Sequence, residues 1–264
     1  MNKLITAAAA LASATVSIPA VAGPTKPTIV LVHGAFETSE VWGQVIAILE
    51  KDGYKVKNVD LPGRTGNEKA PNEVSLELYQ KTVAAAIADE TSPVVLVGHS
   101  FGGFTISAEA EAEPQKIKTL VYLAAYVPNN GDSLLSLATA DKGSKLGPVL
   151  NIDKERGYAS VKTGVGGGVF ANDGPQPLQD AVGRSLIDEP LAPLATPVTL
   201  TAARFGKVDK VSIRTLRDQA ISTEFQAGMI KATPMRLTMT IDTGHTPFIT
   251  QPKALAAEIE KAAQ

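Results

Sequence analysis

The sequence predicts an α/β protein: a mostly parallel central sheet flanked by helices, with a cap inserted over the sheet. Three observations carry that expectation. Short, continuously apolar runs recur at Thr28–Val32, Val94–Val97 and Ile117–Leu123, as suits strands buried on both faces. Helically spaced stretches stand between them, and strand and helix in alternation call for right-handed crossovers and parallel pairing. The alternation lapses from Val127 to about Ala203 and returns at Lys210.

Residues 1–22 stand apart from the fold. Lys3 gives a positive start, Leu4–Ile18 is apolar and alanine-rich, and Ala20-Val21-Ala22 is a small-x-small cleavage pattern. This is the three-part form of a signal peptide, so the mature chain is expected to begin at Gly23 and to be periplasmic or secreted. The apolar run is short for a membrane span of about 20 residues, and no membrane association is expected once the signal is cleaved. The chain has no cysteine, which excludes a lipoprotein anchor and disulfide staples, so stability must come from the core.

Residues 23–264 then read as one domain. Thr28–Val32 is the first strand. Ser39–Asp52 follows as a helix, with Ser39 as its N-cap and Val41, Val45, Ile48 and Leu49 on one face, and Gly53 ends it. Tyr54–Asp60 is a strand, Leu61–Glu73 a loop rich in glycine, proline and charge, and Ser75 opens a helix carrying Leu76, Tyr79, Val83 and Ile87 at helical spacing. Val94–Val97 and Ile117–Leu123 are strands joined by a helix. Residues 127–203 form the cap, in which Gly164-Val165-Gly166-Gly167-Gly168 reads as a mobile lid segment; it lacks the lysine and the strand-to-helix setting of a phosphate loop. A strand at Lys210–Thr215, a helix from Ser222, a strand at Met235–Ile241 and a helix from Pro252 complete the pattern.

Composition sets limits on function. With 264 residues, 44% of them hydrophobic, and a formal charge of −2, the chain can bury a large core and shows no basic cluster for nucleic acid.

The chemistry is carried by Gly98-His99-Ser100-Phe101-Gly102 directly after an apolar strand. This G-x-S-x-G is the pattern of a nucleophile elbow, in which a strand turns sharply into a helix and exposes the serine hydroxyl. Such a serine needs two backbone N–H groups aimed at the developing oxyanion. One comes from the residue after it, Phe101, and the other from a loop after an earlier strand, where His33-Gly34-Ala35 supplies Ala35. Three histidines exist; with His33 and His99 committed to those two motifs, His245 becomes the base, in a loop after the last strand. The acid should lie between serine and histidine at a strand end. Asp218 fits best, after Val211–Thr215 and a two-residue connection. Asp242, three residues before His245, and Asp209, ahead of the strand, are the competitors.

Those motifs resemble the α/β-hydrolase superfamily over the whole mature chain, and within it the plant methylesterase and hydroxynitrile lyase group with its bacterial esterase relatives. The resemblance rests on Leu31-Val32-His33-Gly34-Ala35, Val97–Gly103, Arg204–Val208, Arg217–Ile221 with Glu224-Phe225-Gln226, and Gly244-His245 with Gln251-Pro252. It implies the α/β-hydrolase fold, with Ser100, Asp218 and His245 as triad and Ala35 and Phe101 as oxyanion donors. In the cyanohydrin-cleaving lyases a threonine stands at the place of Gly34 and a lysine follows the catalytic histidine, whereas here these positions are Gly34 and Thr246. The cap does not match the plant enzymes closely. The expected activity is a serine hydrolase of the carboxylesterase type acting on small, apolar esters without metal or organic cofactor. A lyase, a lactone hydrolase and a non-enzymatic small-molecule receptor are the alternatives.

Overall fold

The computed structural model describes residues 26–64 and 66–264; the expected signal segment lies outside them. The strands are β1 (Ile29–Val32), β2 (Val56–Val59), β3 (Val94–His99), β4 (Ile117–Leu123), β5 (Leu150–Asp153), β6 (Tyr158–Val161), β7 (Glu189–Pro190), β8 (Asp209–Thr215) and β9 (Leu237–Ile241). The helices are α1 (Gly43–Lys51), α2 (Leu76–Ile87), α3 (Gly102–Ala112), α4 (Leu134–Ala140), α5 (Gly166–Phe170), α6 (Gln176–Ser185), α7 (Leu191–Ala195), α8 (Thr223–Ala232), α9 (Pro247–Thr250) and α10 (Pro252–Ala263).

Six strands form one sheet in the order β2-β1-β3-β4-β8-β9, parallel throughout. Alternate side chains enter two cores. Ile29, Leu31, Val95, Val97, Val121 and Leu123 pack against α1 and α10, while Val30, Val32, Leu96, Leu120 and Tyr122 pack against α2, α3 and the cap. Burial on both faces explains the continuous apolar runs. The strand order reverses between β1 and β3, and open α/β sheets bind ligands at the carboxyl ends of strands flanking such a switch. Among the described residues no helix is long and apolar enough to cross a membrane.

Three elements differ from expectation. The helix expected from Ser39 begins as a 3-10 turn, Ser39–Trp42, and becomes α-helical at Gly43. Ser39 does not cap it: its N–H donates to Asp60 Oδ1 at 3.0 Å, and the tighter turn sends Trp42, fully buried, against Phe248. The cap, which shows no strand periodicity in sequence, holds a three-stranded antiparallel sheet, β5-β6-β7. Its strands are two to four residues long, too short to show an alternating pattern. The glycine run is open only at its start: Gly164 and Val165 are exposed, whereas Gly166 and Gly167 are buried at the start of α5. A Cβ on Gly167 would stand 1.8 Å from the Gln179 carbonyl oxygen of α6, so glycine here permits two helices to meet backbone to backbone.

The cap reaches the loops at the carboxyl end of the sheet. Thr246 Oγ1 donates to the Phe170 carbonyl, Asn172 Nδ2 to the Arg217 carbonyl and Thr243 Oγ1 to Asp173.

Candidate active site

Ser100 sits immediately after β3 with φ of 51°, a left-handed conformation that costs a non-glycine residue about 1–3 kcal/mol and persists only where the surroundings hold it. The surroundings do so on both sides. Ser100 N–H donates to the Leu123 carbonyl at 3.2 Å, and its own carbonyl accepts from Gly103 N–H at 3.1 Å and Tyr126 N–H at 3.2 Å. The neighbouring glycines are steric necessities. A Cβ would lie 2.7 Å from the Gly102 carbonyl oxygen at Gly98, 2.9 Å from the His33 carbonyl oxygen at Gly102, and 2.1 Å from the Tyr126 carbonyl oxygen at Gly103.

His245 and Asp218 come from the loops after β9 and β8. His245 is 1% and Asp218 7% exposed, and His245 Nδ1 meets Asp218 Oδ2 at 2.8 Å. The carboxylate is fixed by four further donors. Thr215 Oγ1 at 2.7 Å and Gln226 Nε2 at 3.0 Å reach Oδ2, while Ala220 and Ile221 N–H reach Oδ1 at 2.8 and 2.9 Å. Burial alone would lower the His245 pKa, but the charge and hydrogen bond of Asp218, aided by Glu37, outweigh it and raise the value above the ordinary histidine range. The competing carboxylates lie elsewhere. Asp242 is exposed and paired with Arg217 Nε at 2.9 Å; Asp209, at the opposite end of β8, accepts from Thr119 and Arg236.

Ser100 reaches this pair through its neighbour. His99, the last residue of β3, places its ring 4.6 Å from that of His245 and bonds through Nε2 to the His245 carbonyl at 3.0 Å. Its Nδ1 meets Glu37 Oε2 at 2.9 Å, so both ring nitrogens are engaged. Burial would raise the Glu37 pKa, but His99, with His245 and His33, pulls it below the usual carboxylate range. No hydrogen bond joins Ser100 Oγ to His245 Nε2 in this structure. Bonds of this kind tighten when substrate binds.

The loop after β1 lies against the elbow. A Cβ on Gly34 would stand 2.9 Å from Ser100 Cβ. Among the described residues, neither Ala35 N–H nor Phe101 N–H donates to a protein acceptor, although both amides flanking Ala35 do: Gly34 N–H to Glu37 Oε2 at 3.0 Å, Phe36 N–H to Glu189 Oε2 at 3.1 Å. His33 holds the loop from below. Its Nδ1 donates to the Gly34 carbonyl and its Nε2 accepts from Leu61 N–H, which requires a neutral ring. Burial, with the nearby Arg64 charge, pushes its pKa down to about 4.

Glu37, Arg64 and Glu189 are not legible as supports in the sequence, because a charged side chain gives no sign by itself that it will be buried. Among the described residues, no group of three or more His, Asp or Glu is placed to hold a metal ion. A cleft of about 820 Å³ opens beside the site, bordered by Phe36, Glu37, Val182, Ile187 and Thr246. A second cavity of about 560 Å³, lined by Asp209, Lys210 and Arg236, starts from the amino end of β8, away from Ser100.

A parallel sheet with a left-handed serine after its third strand, and a histidine–carboxylate pair after its last two, defines the hydrolase class of α/β proteins. The chain belongs to the Alpha/beta hydrolase family, whose match covers residues 29–258. It is 31% identical over 247 residues to the Arabidopsis thaliana protein named "Putative methylesterase 11, chloroplastic"; the match spans 86% of this chain and 61% of that protein's own length. It is 27% identical over 240 residues to the pyrethroid hydrolase of Sphingobium wenxiniae, covering 88% of this chain and 85% of that one. The crystal structure of a pyrethroid hydrolase superposes with a TM-score of 0.79 at 25% identity, over 90% of this chain and 97% of the other.

Proposed function

We propose that this protein is a carboxylesterase-type serine hydrolase with Ser100 as nucleophile, His245 as base and Asp218 as the acid that orients it. The observation that carries this reading is the buried His245–Asp218 pair at the same carboxyl end of the sheet as a serine held in the left-handed conformation. His245 Nε2 takes the Ser100 proton, Ser100 Oγ attacks the ester carbonyl, and the oxyanion is received by the Ala35 and Phe101 N–H groups. Collapse expels the alcohol, which takes its proton from His245. Water activated by His245 then attacks the acyl-enzyme and releases the acid. Asp218 keeps the ring in the tautomer with its proton on Nδ1 and stabilises the imidazolium that forms.

Substrates are small, apolar esters. The cap contributes Leu134, Val169, Phe170 and Val182 to the core cluster that includes Ala35 and Phe101, and a relative is named as a pyrethroid hydrolase. The lyase alternative is disfavoured by space, since a threonine in place of Gly34 would put its Cβ 2.9 Å from Ser100 Cβ. With the signal pattern of residues 1–22, the site of action is the periplasm or the medium.

The test is hydrolysis of short p-nitrophenyl esters by residues 23–264, beside Ser100→Ala, with a lactone and a cyanohydrin as competing substrates. Ester turnover that falls by about 10⁴-fold or more in the variant is expected. Folded wild type that gives neither turnover nor an acyl-enzyme by mass spectrometry would leave ligand binding without catalysis as the better account.

A further inference from the structure

We propose that two buried carboxylates, Glu37 and Glu189, are positioning residues that leave the Ala35 N–H free for the oxyanion, and that Glu189 thereby makes the cap part of the oxyanion hole. This rests on the esterase reading above. Three successive amides run through the loop after β1. The first, Gly34, is held by Glu37, and the third, Phe36, by Glu189. Ala35, between them, makes no protein hydrogen bond among the described residues.

Phe36 is itself left-handed, with φ of 66°, and a cap segment pins it at both ends. Its N–H goes to the Glu189 carboxylate, and its carbonyl accepts from Ile187 N–H at 3.0 Å. The carboxylate is immobilised in turn. Glu189 and Arg64 are both fully buried at the side chain and lie 2.5 Å apart, and Tyr79 OH donates to Glu189 Oε1 at 3.0 Å. Arg64 also donates through Nε to the Glu37 carbonyl at 3.0 Å, so one guanidinium ties the cap carboxylate to the end of the oxyanion loop. Burying such a pair rarely gains stability over an apolar filling of the same space, which directs attention to what it positions.

The test uses two double variants that leave no unpaired buried charge. Arg64→Met/Glu189→Gln retains a side-chain carbonyl for Phe36 N–H; Arg64→Met/Glu189→Met removes it. In the second variant kcat is expected to fall by about 10²-fold, the effect of losing one oxyanion donor. KM should stay within about threefold, and affinity for an alkyl boronic acid, whose tetrahedral adduct mimics the oxyanion, should fall in the same proportion as kcat. The Gln variant should recover most of both. Equal kcat and equal boronate affinity in two folded variants would overturn the proposal.

If neither variant folds, amide NMR of the wild type decides. Boronate should shift the Ala35 and Phe101 amide protons, while the Gly34 and Phe36 amides stay protected from exchange with or without it. A shift on Gly34 or Phe36 instead, or rapid exchange at Phe36, would overturn the assignment. Wild type that neither turns over ester nor binds boronate refutes the esterase reading, and Phe36 protection still reports on the carboxylate contacts.

Discussion

Replacing Asp218 by asparagine isolates what the carboxylate does for His245. All five groups around the carboxylate are donors, two backbone N–H groups on Oδ1 and the Thr215, Gln226 and His245 side chains on Oδ2. An asparagine NH₂ must therefore face donors in either orientation. Against Oδ1 it meets two amides that cannot change role. Against Oδ2 it meets one donor held in place, the Gln226 NH₂, and two that can adapt, a hydroxyl that can turn and an imidazole that can change tautomer. The second orientation costs less, and it obliges His245 Nδ1 to accept, moving the ring proton to Nε2, where the base must receive the Ser100 proton. The wrong tautomer in an intact site costs about 10⁴-fold in kcat, or about 5 kcal/mol of barrier. The pH profile gives an independent sign. Asp218 holds the His245 pKa above the ordinary range against the effect of burial, and kcat/KM falls as pH drops through that value. With the charge gone and burial retained, the acid limb moves to lower pH. The assay is p-nitrophenyl acetate hydrolysis from about pH 5 to about pH 9, with circular dichroism as a check on folding. Activity within about tenfold of wild type and an unmoved acid limb would refute the reasoning.

Two further outcomes concern stability. Gly167→Ala is expected to cost about 1–3 kcal/mol in chemical denaturation, because the added methyl would stand 1.8 Å from the Gln179 carbonyl oxygen; an open glycine-rich segment would instead be unaffected or gain from alanine's higher helix propensity. Glu109 on α3 is buried, has one carboxyl oxygen without a partner and accepts from Gln80 on the other, and burial pushes its pKa up to about 7. A raised carboxyl pKa contributes stability that is complete below the unfolded value and lost as pH rises through the folded one. Glu109→Gln should therefore change little at about pH 5 and stabilise by about 1–2 kcal/mol at about pH 8, read from urea melts at both.

Sequence revealed those parts of the molecule whose physics is local. Strands covered on both faces must be apolar throughout, so β1, β3 and β4 stand out as runs. The elbow must place glycine where a Cβ would strike backbone, and it does so at Gly98, Gly102 and Gly103. Asp209 could be set aside because it precedes β8 and so faces the wrong end of the sheet, and Asp242 because, three residues before His245, it would have to fold back on its own loop. Non-local supports left no such trace. Arg64 and Glu189 are separated by 125 positions and Phe36 and Glu189 by 153, and each alone resembles a solvated loop charge or an ordinary apolar residue. The cap sheet was hidden by the brevity of its strands, and the buried glycines of α5 by the resemblance of a close helix contact to a flexible linker.

That division bears on how the cap can vary. The elbow is held chiefly by β3, β4 and α3, and the histidine–carboxylate pair by the loops after β8 and β9, which touch the cap through Arg217–Asn172 and Thr246–Phe170. The oxyanion loop meets the cap as well, since Phe36, next to Ala35, is bonded at both N–H and carbonyl to Ile187 and Glu189. Cap changes at Leu134 or Val182, which pack in the core cluster of Ala35 and Phe101 and take no part in those bonds, should shift substrate preference with little effect on the intrinsic acyl-transfer rate. Changes that displace Ile187–Glu189 act on the geometry in which charge develops, and they should lower kcat for every ester alike. Specificity and catalysis thus enter through different segments of the same insertion, and a profile of kcat across esters of different chain length separates them.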